Sequence, residues 1–275
     1  MKTRRTWIWV AAVVAIAATA VVAQRGRSRN YTYERDRGEV PEWSNEPGFE
    51  QDTFAFTRVI YTSGGWGGRG GWDTDYRDAD LNFSFRLQQL TAMKVDPEGK
   101  KLRVTDEDLF NCPFIYMAEP GSLSFDDEEV KTLRRYLLSG GFLMVDDFWG
   151  EEEYRNLYDE LKRVFPDREP QELPLEHPIF HSVFDLKEKP QVPNFRTGED
   201  SQYNGGITWE RWDAREPHYR AIFDDKGRIM VMICHNTDLG DGWEREGVYE
   251  YYFREFSEKK AYPLGINIVF YAMTH

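Results

Sequence analysis

Asp146 and Asp147 close the run Gly140-Gly141-Phe142-Leu143-Met144-Val145 and set two adjacent carboxylates ahead of the aromatic turn Phe148-Trp149-Gly150. Neighbours in a strand face opposite ways, so only one of them can enter a given pocket for metal or acid–base work. The other is then free to cap the helix that begins near Glu151. His177 and His181 are four apart, a spacing that converges on a metal in a helix, but Pro178 between them argues for a turn. His235, Asn236 and Asp238 leave the end of a second apolar run. Asp238-Leu239-Gly240-Asp241-Gly242 reads as a tight polar turn without the oxygen spacing or terminal glutamate of an EF-hand. A joint metal site needs Asp146 or Asp147 beside one of the histidines, with His235 or Asp238 completing the shell. Structural roles rank ahead of a divalent metal at each of these positions.

The candidate ligand-binding residues are Trp66, Trp72, Tyr76, Asn236, Asp238 and Asp241. Gly64 to Gly71 has neither a dinucleotide-type GxGxxG nor the lysine-threonine of a P-loop, which argues against phosphate cradling. Trp66, Trp72 and Tyr76 on that backbone suit stacking against a sugar or a peptide.

Strands and helices must bring these groups together. Thr57 to Thr62 reads as the first strand, and the glycine loop follows it at the sheet's carboxyl edge. Asp80 to Thr91 fits a helix buried on more than one side, with Asp78 or Asp80 as its cap. Leu102 to Val104 is a short strand. Pro113 to Ala118 and Phe142 to Val145 are continuous apolar runs of buried parallel strands. Between them, Ser124 with Asp127 caps an amphipathic helix that ends at Gly140. Glu151-Glu152-Glu153 favours the start of the next helix, which Pro166 ends. This alternation predicts an α/β fold with a parallel sheet. Pro174, Pro178, Pro190, Pro193 and Pro217 break Asp167 to Arg220 into an insertion over the sheet's edge. Ala221 to Cys234 reads as a hairpin or paired strands, and the remainder as two helices divided near Pro263.

The chain has 275 residues and a net charge of −13, enough length for one large domain or a domain with an appended piece. Residues 1–23 join Lys2, Arg4 and Arg5 to an uncharged Trp/Val/Ala run, which is either an export signal or a membrane anchor. Arg4-Arg5 also resembles a twin-arginine signal. Without that leader 32 basic residues face 48 acidic ones, a field that repels nucleic acid. Residues 24–53 read as a linker or arm, with Trp43 and Phe49 able to dock, and 54–275 as the domain. Cys112 and Cys234 match no zinc or CxxC spacing and read as buried thiols, although an exported domain would permit a bridge between them.

Tyr61-Thr62-Ser63-Gly64-Gly65-Trp66, Thr74-Asp75-Tyr76 with Ala79-Asp80-Leu81-Asn82, Gly141 to Asp147, His177-Pro178-Ile179-Phe180-His181 and Asn236 to Trp243 together resemble a bacterial family catalogued as a domain of unknown function (DUF 4159). That family is similar in fold to the class I glutamine amidotransferases, which implies a flavodoxin-like three-layer sandwich with ligands at the strand ends. The amidotransferases use a cysteine on a strand-to-helix elbow. Here the elbow reads Asp146-Asp147-Phe148-Trp149-Gly150, so glutaminase activity is not expected.

Two functions are expected in order. The first is an exported or tethered, non-catalytic domain that binds a small molecule, glycan or protein of the cell envelope. The second is a metal-dependent hydrolase of an envelope glycan or peptide, with catalytic candidates Asp146, Asp147, His177, His181 and His235.

Overall fold

The computed structural model describes residues 40–48, 52–63 and 71–275. The hydrophobic segment 1–23, Phe49, most of the arm and Trp66 lie outside the described residues. Among the described residues no helix is long and apolar enough to cross a membrane.

Seven strands form one sheet in the order β2-β1-β3-β4-β7-β6-β5. β1 (Thr57–Ile60), β2 (Lys100–Arg103), β3 (Phe114–Ala118), β4 (Phe142–Asp146) and β7 (Ile229–His235) run parallel. β6 (His218–Phe223) returns antiparallel to β7 as the expected hairpin, and β5 (Gln171–Glu172) adds a short antiparallel edge. The three inner apolar runs are buried at every position, because helices cover both faces of the sheet. At the opposite edge β2 alternates, Lys101 and Arg103 being exposed while Lys100 and Leu102 are half-buried. Exposed basic side chains discourage pairing with another strand there.

β3, β4, β6 and β7 each feed two cores. Tyr116, Ala118 and Met144 face α1 (Asp78–Leu90) and the helices that close the chain, while Ile115, Met117, Leu143 and Val145 face α2 (Asp127–Leu138) and α3 (Gly150–Val164). α4 (Phe195–Asp200) lies within the proline-broken insertion. α5 (Leu239–Glu244) follows β7, and α6 (Glu250–Tyr252) runs through the π-helical Phe253–Ala261 into α7 (Tyr262–Thr274).

Several local expectations are corrected. The α2 capping box is Asp126 with Glu129, each side chain accepting from the other's backbone N–H, rather than Ser124 with Asp127. α1 has Arg77 at its cap position and no side-chain cap, because Asp80 is committed to the buried Arg58. The segment after β7 is a short helix capped by Asp238, not a bare turn. Pro263 does not divide the last helix. The widened π turn ahead of it accommodates a residue with no N–H, and the backbone stays helical through Tyr262. Cys112 and Cys234 are buried and free. Trp43 does dock, its Nε1 donating to Val95 O at 2.9 Å.

Candidate functional site

The order of the parallel strands reverses between β1 and β3, with β2 on one side and β4 and β7 on the other. Loops leaving the carboxyl ends of strands diverge at such a point and leave a crevice. Four non-glycine residues among those described have positive φ, and all four lie in loops that leave these ends: Asp75 after β1, Glu119 after β3, Asp147 after β4 and Asn236 after β7. Left-handed backbone is costly for residues with a Cβ, least so for Asn and Asp, and it gathers where a site demands a particular side-chain direction.

Three of the four bring carboxylates together, and α5 adds more. One carboxylate oxygen from each of Asp75, Asp238 and Asp241 lies within 4.8 Å of the other two. Asp238 Oδ1 accepts from Asp241 N at 2.7 Å, and Asp241 Oδ2 accepts from Phe195 N at 2.7 Å. Asp75 Oδ2 is buried with no hydrogen-bond partner. It faces Gly240, where an added Cβ would stand 2.6 Å from it and 3.5 Å from Asp238 Oδ1. Glycine at 240 therefore leaves the room that the Asp75 carboxylate occupies.

Burial, followed by repulsion from Asp241 and Glu244, raises the Asp75 carboxyl well above the usual range. Burial and then Glu119 and Asp75 do the same to Asp147, and burial with Asp147 and Asp241 to Asp238. Glu119 and Glu244 are each pushed to about 7, chiefly by burial. Two cations lean on this group. Arg58 lies beneath it and is already paired with Asp80, and Arg245 lies beside Asp241.

The two adjacent aspartates divide their work. Asp146 ends β4 on the α5 side, and its Oδ2 accepts from Tyr116 OH at 3.1 Å, Leu239 N at 2.9 Å and Gly240 N at 3.1 Å. Burial nevertheless holds its carboxyl up at about 7. Asp147 has left the strand, with φ of 58°, and its Oδ1 accepts weakly from Trp149 Nε1 at 3.3 Å. Neither caps α3. Gly150 N donates to Asn236 Oδ1 at 2.9 Å, Glu151 N to Asp213 and Trp149 N to Glu153.

The histidines stand apart from the carboxylates. His177 packs on Tyr271 and Phe223 at the amino edge of the sheet, and His181 bonds within its own loop, its Nε2 donating to Leu175 O and its Nδ1 meeting Asp185. His235 leaves β7 on the opposite face, with its ring 4.9 Å from Phe148 and 5.0 Å from Tyr154. Its Nε2 meets Gly150 O and its Nδ1 meets Arg220. Burial lowers it to about 4, so it is neutral near pH 7. Trp72 and Tyr76 are half-buried and packed on each other, 5.9 Å between centroids. The insertion lies against the same edge: Gln191 Nε2 donates to Asn236 O, and Asp238 N donates to Val192 O.

Residue type and spacing alone do not mark Asp75 and Glu119 for chemistry. Asp75 falls within the quoted Thr74-Asp75-Tyr76 stretch, and Glu119 immediately follows an apolar strand, which is the available signal for it. This arrangement concentrates negative charge and proton-binding capacity at the strand ends, and suits a cationic ligand or a hard metal ion held by oxygens. No curated protein matches the chain. A family model does match, over residues 55–273, from just before β1 into the last turn of α7 and across every loop that delivers a carboxylate to this edge, and the chain belongs to that family, described as a domain of unknown function (DUF4159).

Proposed function

We propose that the chain is an exported or membrane-tethered, non-catalytic binding domain of the cell envelope, and that its ligand presents positive charge to the carboxylates at the sheet's carboxyl edge. The observation that carries this reading is the convergence of Asp75, Asp238 and Asp241 with Asp75 Oδ2 buried and unpartnered. A buried carboxylate without a donor is costly unless a ligand or proton supplies the missing interaction. A flavodoxin-like, amidotransferase-like fold is part of the proposal. Its support is the strand order: taken in chain order, the five parallel strands stand 2-1-3-4-5. Export rests on the charged, apolar leader.

Calorimetric titration of the purified full chain with calcium, magnesium and a short diamine tests the reading. Saturable uptake of one of these near pH 7.5, lost in Asp75→Asn/Asp238→Asn, is expected. No uptake of any of the three overturns it.

A second reading, a metal-dependent hydrolase of an envelope glycan or peptide, is favoured by one observation. Asp147 stands in left-handed conformation on a strand-to-helix elbow, with Glu119 the first carboxylate acting on it after burial. Release of soluble fragments from envelope glycan or peptide by the wild type, abolished in Asp147→Asn with cation uptake intact, would favour it over the first.

A further inference from the structure

We propose that Arg58 is the positioning residue of the carboxylate site: it fixes the loop that aims Asp75 at Asp238 and Asp241. This inference rests on the cationic-ligand reading given above.

Arg58 sits on β1 between the buried Thr57 and Val59 and is itself fully buried. Such a residue survives only if its charge is paired and its N–H groups are drawn to acceptors. Its Nε and Nη2 are spent on Asp80 of α1, at 3.0 Å to both carboxylate oxygens and 2.5 Å to Oδ1. Its Nη1 donates to Trp72 O at 2.9 Å and to Thr74 O at 2.8 Å. Those carbonyls bracket Asp73 and immediately precede Asp75, where φ turns to 59°. The guanidinium also lies under two rings of the same neighbourhood, 5.0 Å from the Tyr116 centroid and 5.7 Å from that of Tyr76.

A planar fork is needed for this task. One edge binds the carboxylate of α1 while the remaining nitrogen holds two carbonyls of the loop, and a lysine ammonium cannot span both. Asp80 neutralises the charge, so the loop is held without a free cation being placed in the site. Arg58 therefore ties strand, helix and ligand loop together at the switch point, behind the carboxylate rather than in contact with the ligand. Groups that support a ligating side chain in this way commonly change metal affinity by about 10–100-fold when removed.

Terbium ion alone, a hard cation that seeks oxygen ligands, is the probe, read by luminescence across a pH series on the full chain. The variants are Arg58→Lys, which keeps the charge, and Arg58→Met/Asp80→Leu, which removes the pair together. Asp75 faces Asp241, Glu244, Glu119 and Asp238 as well as Arg58. Loss of Arg58 leaves the partly exposed Arg245 as the cation beside these carboxylates. Both variants are expected to bind terbium roughly tenfold or more weakly than wild type. In the double variant the pH of half-binding should also move upward, because Asp75 then holds its proton longer. Circular dichroism should report the wild-type fold. A folded variant with wild-type affinity and pH profile overturns the inference. Loss of fold in both variants also overturns it, since Arg58 would then serve the fold alone. Wild-type protein that binds no terbium would instead remove the cation-binding reading and this inference together, an outcome distinguishable from unchanged binding in the variants.

Discussion

The Arg245 guanidinium stands against the Asp241 carboxylate, Nε 3.2 Å from Oδ1, and reaches Glu244 Oε2 at 2.5 Å. It lies over Phe195 with Cζ 4.7 Å from the ring centroid, and 35% of its side chain remains in solvent. It is the one cation beside the carboxylate group, among the described residues, that can swing away without unpacking a core. An incoming cation competes with it for Asp241. Arg245→Gln is accordingly expected to tighten terbium binding by several-fold, a moderate change because solvent screens a half-exposed charge. Titration of variant and wild type at matched ionic strength checks it. Weaker binding would mean that Arg245 holds Asp241 in its binding orientation instead.

The pH dependence of stability has a definite sign. Glu119, Glu244 and Asp146 bind protons more tightly in the folded chain than in the unfolded one, each at about 7. Their contribution is complete below the ordinary carboxyl range and is lost as pH rises through about 7. His235, lowered to about 4, acts in the other direction: it favours folding as pH climbs from there to the ordinary histidine value and has no further effect above it. The carboxylates therefore act unopposed by His235 only above roughly pH 6.5. The melting temperature of chelator-treated protein should fall by a few degrees between pH 6.5 and about 8. Saturating divalent ion should remove the fall, because it takes the protons' place. Calorimetric melts with and without the ion measure both.

Much of the sheet was legible because β3, β4 and β7 are buried on both faces and read as unbroken apolar runs. The paired β6 and β7 and the parallel character of the sheet followed from turn chemistry and alternation, whereas the strand order did not. Arg58 was not legible, since a charged residue in a strand ordinarily marks an exposed face, and only the tertiary position of Asp80 reverses that. Pro263 misled for a related reason: helix propensity is local, while the tolerance for a missing N–H came from a π turn of nine residues ahead of it. Among the site residues, Asn236, Asp238 and Asp241 could be chosen because they sit just beyond β7. Their convergence with Asp75 depends on a contact across more than 160 positions of chain, which no spacing rule encodes. The histidines drew notice for their chemistry, and His177 and His181 belong to the other edge of the sheet.

Asn236 joins the exit of β7 to the start of α3. Its Oδ1 accepts from Gly150 N and its Nδ2 donates to Glu216 O, each at 2.9 Å, with φ at 61°. Asn236→Ala loses both hydrogen bonds, one of them buried, and leaves a methyl in left-handed backbone, for a loss of about 2–3 kcal/mol. Asn236→Gly loses the same bonds without the backbone conflict and should be about 1 kcal/mol more stable than the alanine variant. Urea denaturation of the two variants separates side-chain from backbone contributions. Equal stability would place the whole effect in the hydrogen bonds.

Gly240 offers the sharpest separation of fold from site. An added Cβ meets Asp75 Oδ2 at 2.6 Å and Tyr116 OH at 3.1 Å, and no helix backbone beyond its own turn obstructs it. Its φ is not in the left-handed region, so alanine is tolerated by the backbone and is the better helix former. The methyl group can be accommodated only by moving the Asp75 carboxylate away, since Tyr116 is fully buried among Phe56, Trp243 and Arg58. Gly240→Ala should therefore keep the circular-dichroism spectrum and most of the stability while binding terbium at least about tenfold more weakly. If binding is unchanged in a folded Gly240→Ala protein, Asp75 is not a ligand, and the site must be redrawn around Asp147, Glu119 and Asp238. A variant that binds weakly only because it has unfolded would be exposed by its melting curve, and Asp75→Asn, which adds no volume, then decides between steric displacement and a general loss of packing.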